Sequence, residues 1–160
     1  MRLEKFLFWF DLELGGTIIG YYHLLIYFVS IIAVIISFIL QLIYYENVNL
    51  LVLIVLTVVY ILIALFLIYL SWQLIMGVEY RDHRRVQKFR ILCMIGLVLN
   101  ILIVIAALTQ IGRFELNGYH ITILIVYLII SFLTQVYIFL VVDSLYKKFR
   151  DEEFPRRSFK

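Results

Sequence analysis

Few residues in this sequence have the type and spacing that chemistry needs. His23, His83 and His120 are its three histidines, and Cys93 is its one cysteine. Cys93 has no base beside it in sequence, so it does not read as a nucleophile. Its place at the edge of an apolar run suits either S-palmitoylation or a buried structural thiol. Asp11 and Glu13 stand together just ahead of another apolar run, where the helix macrodipole favours acids. That reading outweighs a catalytic pair of carboxylates. A Gly-rich phosphate loop, an H-E-x-x-H pattern and a G-x-S-x-G elbow are all absent from the sequence, so an enzyme is not expected, and neither is a cofactor.

The elements that would have to position these groups are apolar throughout. Of 160 residues, 65% are apolar and 16% charged, against about 45–50% and about 25% in soluble domains. A globule of this size could not hide that much apolar surface. The charges themselves divide the chain. There are 32 residues without Asp, Glu, Lys or Arg between Glu13 and Glu46, and 32 between Glu46 and Glu79. A further 22 lie between Arg90 and Arg113, and 27 between Glu115 and Asp143. About 20 apolar residues suffice to cross a bilayer as a helix. The pattern predicts an all-α, four-span membrane bundle with spans near 17–40, 50–71, 91–111 and 119–142. The first run is too long for a cleaved signal peptide and has acids before it, so 17–40 is expected to be a retained span.

Thirteen of the 14 Lys and Arg residues fall in the N-terminal segment 1–14, the connection 77–90 and the tail 143–160. The positive-inside rule makes that side cytoplasmic and places both termini in the cytosol. The two connections on the other side, 44–49 and 112–118, are too short to fold as a domain. Contacts with partners are then expected to be lateral, between helices, or cytosolic. The three histidines fall at three levels of such a bundle, which leaves no metal site to propose.

Small and polar residues mark the faces that would pack. Gly16, His23, Ser30 and Ser37 are seven apart, with Gly20, Tyr27, Val34 and Gln41 at the complementary positions. This is a seam of the kind that joins left-handed bundles, and Gly16 to Gly20 is a G-x-x-x-G match within it. Thr57, Ala64 and Ser71 repeat the habit in the second span, Gly96, Asn100, Ala107 and Gln110 in the third, and Tyr127, Ser131 and Thr134 in the fourth. The preferred reading is glue within the bundle. The sharper one is contact with another membrane protein or a second copy through Gly16 and Gly20. A transport path would have to use His23 or Asn100, the polar groups at depth.

The cytosolic segments suggest surfaces. Phe6–Phe10 reads as an interfacial aromatic block. The loop residues Arg81, Arg84, Arg85, Lys88 and Arg90 form a basic patch suited to anionic lipid headgroups, and the membrane context excludes nucleic acid. Asp143 stands four residues before Lys147, so the last helix is expected to continue past the bilayer. Tyr146-Lys147-Lys148-Phe149 has the Tyr-x-x-apolar form of an endocytic sorting signal.

Two stretches carry a family resemblance. Glu13-Leu14-Gly15-Gly16-Thr17-Ile18-Ile19-Gly20-Tyr21 resembles the R/E-x-G-x-x-I-I-G-Y opening of an insect-type family of small four-span proteins. Val136 to Tyr146, ending Val141-Val142-Asp143-Ser144-Leu145-Tyr146, is similar to the close of that family's last span. The family includes the Pasiflora proteins of septate junctions and is distantly similar to lysosome-associated four-span proteins. The resemblance implies a non-enzymatic plasma-membrane component that assembles junctional complexes in an epithelial barrier. An endolysosomal trafficking or transporter-accessory protein is the alternative, and a small channel or transporter a further one. The sequence departs from the family in lacking a cysteine cluster before the first span, and it lacks the Pro-x-Tyr tail motifs of the lysosomal relatives.

Overall fold

The computed structural model describes residues 5–6, 10–44, 49–111 and 118–157. Residues 45–48 and 112–117 of the two short connections on the weakly charged side, Trp9 and the last three residues lie outside the described residues, as do the side chains of Ala107, Gln110 and His120. A two-residue strand, β1 (Lys5–Phe6), pairs antiparallel with β2 (Phe10–Asp11), Phe6 opposite Phe10. Four helices follow: α1 (Leu12–Tyr44), α2 (Leu50–Glu79), α3 (His83–Ile111) and α4 (Gly118–Arg157). All four are long and apolar enough to cross a membrane. Each packs on its neighbour in sequence, and α1 also meets α4, which closes an up-down-up-down bundle.

The helices outrun the expected spans, because a helix loses hydrogen bonds where it ends and ends are set by caps rather than by hydrocarbon. At about 1.5 Å per residue α4 is about 60 Å long, twice a bilayer's hydrocarbon thickness. The connection 77–90 was expected to be a loop, and it is almost entirely helix. Only Tyr80, Arg81 and Asp82 lie between α2 and α3. The backbone N–H of Asp82 donates to the Gly77 carbonyl (2.9 Å) and that of Arg81 to the Val78 carbonyl (3.3 Å), the double bond of a Schellman ending. Asp82 then caps α3, its Oδ1 accepting from the Arg84 N–H at 2.9 Å. The hairpin folds Phe6 back over α1, where it is buried beside Tyr137 and so is not held at the interface as the aromatic block was expected to be.

The core lies at one end. Leu70, Leu74 and Val78 of α2, Val86, Phe89 and Cys93 of α3, and Ile138, Val141, Val142, Leu145 and Phe149 of α4 are buried together with Phe6, Leu12 and Ile19. This is the end that carries the hairpin, the α2–α3 turn and the extension of α4, called here the basic end. Toward the other end, the far end, large apolar side chains from Leu25 to Ile43, Leu50 to Tyr69 and Val98 to Ile105 are mostly exposed. In lipid such exposure has no hydrophobic cost.

Candidate functional site

Ion pairs bind the elements of the basic end to one another. Glu13, in the first turn of α1 and ahead of the expected span, accepts from Lys148 Nζ of α4 at 2.6 Å and from Arg81 at 3.3 Å. Arg81 also lies 3.6 Å from Glu152 of α4. His83, the first residue of α3, meets Glu153 at 2.5 Å. Deeper, Asp143 of α4 takes Arg90 of α3 at 2.7 Å and Lys147 at 2.6 Å, with only 8% of its side chain exposed. The Arg90 guanidinium also sits 4.8 Å above the Tyr146 ring, with Arg150 at 5.7 Å. The hydrogen bond from Lys148, aided by the nearby Arg81 charge, holds the Glu13 carboxyl below the ordinary glutamate range despite some burial.

Arg81 carries this clamp on a left-handed backbone, φ 52°. It occupies the position after the helix cap where glycine is usual. From there its side chain reaches both Glu13 and Glu152, on two other helices.

The small residues at the start of α1 admit the other helices. A Cβ on Gly16 would collide with Leu145 of α4, and one on Gly20 would lie 2.5 Å from Ile75 of α2. His23 Nδ1 lies 2.8 Å from the carbonyl of its own Ile19, and its ring meets Phe89 of α3 edge-on at 5.4 Å. The seam stops there. Ser30 donates to the Tyr27 carbonyl, and Ser37 accepts from Gln41, both within α1. Thr57, Ser71 and Thr134 likewise bond one turn back on their own helices. Asn100 differs, since its Nδ2 donates across to Ser131 of α4 at 3.2 Å. One turn nearer the basic end, the Gln135 amide covers Gly96, its nitrogen 2.6 Å from where a Cβ would stand.

These placements correct four sequence readings. Gly16 and Gly20 face helices of their own chain, so they are closed to a lateral partner while the bundle holds. Cys93 is 3% exposed within the core, which leaves no room for an acyl chain on its sulfur. Phe149 is 1% exposed and both it and Tyr146 are in α4, so the Tyr-x-x-apolar segment is not presented as an extended peptide. The five-residue basic patch divides. Arg81 and Arg90 turn to acids of other helices, and Arg85 pairs with Asp82 at 3.3 Å, over the Tyr80 ring. Arg84 and Lys88 stay exposed, without an ion pair among the described residues.

Sequence reasoning missed the clamp as a unit. Its signal was present in the acids Asp151, Glu152 and Glu153, late in the helix that must return beside the basic turn. Among the described residues no group of three His, Cys, Asp or Glu side chains is placed to hold a metal. The chain matches no family model, no curated protein and no solved structure. The fold therefore stands on its own geometry, that of a four-helix bundle with helices of membrane-spanning length.

Proposed function

We propose that this is a non-enzymatic four-span membrane protein that organises a membrane complex through lateral helix contacts, with its basic end and both termini in the cytosol. The observation that carries the proposal is the division of the bundle. Ion pairs and a dense core fix the basic end, while the far half offers long apolar faces that its own helices leave uncovered. Such faces suit neighbours within the bilayer, where close packing and hydrogen bonds drive association. The resemblance of residues 13–21 and 136–146 to the insect four-span family supports a septate-junction setting at the plasma membrane.

The test is the position and complex size of a C-terminally tagged chain in a polarised insect epithelium. A continuous lateral ring with junctional markers, and migration in a large complex after mild solubilisation, is the expected result. Punctate lysosomal signal would overturn the junctional assignment, and a monomer in mild detergent would overturn lateral assembly.

A further inference from the structure

We propose that the face shared by α3 and α4 docks a second copy of this chain, through Gln135 and the apolar groove beside it; this rests on the lateral-assembly reading and names its partner. Beyond Asn100 and Ser131, toward the far end, α3 and α4 part to leave a groove of about 380 Å³. It runs between Ile101, Val104 and Ile105 on one side and Leu128, Ile129 and Leu133 on the other, with apolar side chains alone in its lining. Gln135 continues the face of α4 that carries Leu128, seven residues away and two helical turns nearer the basic end.

The polar groups at the end of this groove select the occupant. The Gln135 amide is half-buried and makes no hydrogen bond among the described residues. The Oδ1 of Asn100, one turn away, is buried and unpaired as well. In hydrocarbon an unpaired amide is costly, since no water reaches it. Gln135 precedes Asp143 by eight residues, which puts it about 12 Å inside the charged end along α4. A lipid tail can fill the groove but brings no donor or acceptor to that depth. A second copy inserted in the same direction does. Rotation about an axis along the membrane normal leaves depth unchanged, so two Gln135 side chains meet at one level. Each amide then donates to and accepts from the other. The Ser30 and Thr57 hydroxyls on α1 and α2 make no such demand, because they are already bonded to their own helices.

The experiment is energy transfer between fluorophores on the full-length protein in vesicles, with the lipid-to-protein ratio raised stepwise. Wild type is expected to dimerise, and Gln135→Leu to weaken the dimer about five- to thirtyfold, the range of interhelical amide bonds. Oxidative cross-linking supplies a readout that does not depend on that variant. Leu133→Cys on the groove should link to its partner, whereas Leu62→Cys on α2 should not, although the two sites are 60% and 61% exposed. Equal linking at both sites, or a dimer indifferent to Gln135→Leu, would overturn the proposal. A chain that is monomeric in vesicles but part of a large complex in cells overturns the second copy as partner and leaves lateral assembly standing. A monomer in both settings overturns both.

Discussion

Arg81 sets a backbone cost against an electrostatic gain, and the two can be separated by substitution. A left-handed residue with a Cβ is disfavoured by about 1–2 kcal/mol. The two ion pairs that Arg81 makes are on a side chain 57% exposed, and exposed pairs contribute about 0–1 kcal/mol. Both Arg81→Ala and Arg81→Gly remove the ion pairs, but only the glycine also removes the strain. Glycine's greater freedom when unfolded offsets about 0.5–1 kcal/mol of that relief, so the glycine variant should unfold about 0.5–1 kcal/mol harder than the alanine variant in mixed-micelle denaturation. Equal stability would mean that the turn relaxes around alanine and that φ there is not a constraint. Glu13 supplies the pH counterpart. Its carboxyl is depressed in the folded chain by Lys148 and Arg81, so it binds protons less readily folded than unfolded. Its stabilising contribution is fully present above the ordinary glutamate value of about 4.3 and is lost as pH falls through the lower folded value. Stability measured down that range should fall more steeply for wild type than for Glu13→Gln; parallel curves would show that the clamp carries no linkage.

At the scale of the element, α1 depends on two glycines that let α2 and α4 approach. Gly16→Ile forces a branched side chain against Leu145 and Val78, and Gly20→Ile does the same against Ile75. Overpacking of this kind costs about 1–3 kcal/mol. The expected result is a less stable bundle, seen as earlier loss of the monodisperse peak after heating. Ser37→Leu, on the exposed part of the same helix, should leave stability unchanged. If the glycine variants stayed as heat-resistant as wild type and lost only a partner, the glycines would belong to an external interface. The number of helices was legible because each charge-free run in so apolar a chain is long enough for one helix of membrane-spanning length. The seam was legible only as far as His23, since a heptad of small residues states which face is small and not how far the neighbouring helix follows it. The 77–90 connection was misread because its charges outweighed its period. Val86, Phe89 and Cys93 recur at helical spacing behind Asp82, a capping residue, and all three are buried. The clamp was hidden for a different reason: Glu13 and Lys148 are 135 positions apart, and no local pattern links residues so distant.

Across the whole molecule, order should decline from the basic end to the far end. Four elements meet at the basic end through buried apolar contacts and ion pairs, including the well-shielded Asp143 between Arg90 and Lys147. Toward the far end large apolar side chains of all four helices stand mostly exposed, and the Asn100–Ser131 hydrogen bond joins α3 to α4 at the start of the groove. Elements with few buried contacts open at lower free energy than those in a core. Spin labels on α2 and α3 can test this gradient at two levels of one hairpin. A pair at Trp72 and Ile91 lies near the basic end, and a pair at Leu56 and Ile103 lies near the far end. All four side chains are exposed and outside the groove lining, so labels on them disturb neither core nor groove. Distance distributions in nanodiscs holding one chain each should be narrow at 72/91 and broader at 56/103. A far-end partner that seats on α3 and α4 should then narrow the 56/103 distribution in nanodiscs loaded with two chains and leave 72/91 as it was. Equal widths in single-chain discs would mean that lipid alone holds the far half as firmly as side chains hold the basic end, and the uneven packing would then have no dynamic consequence.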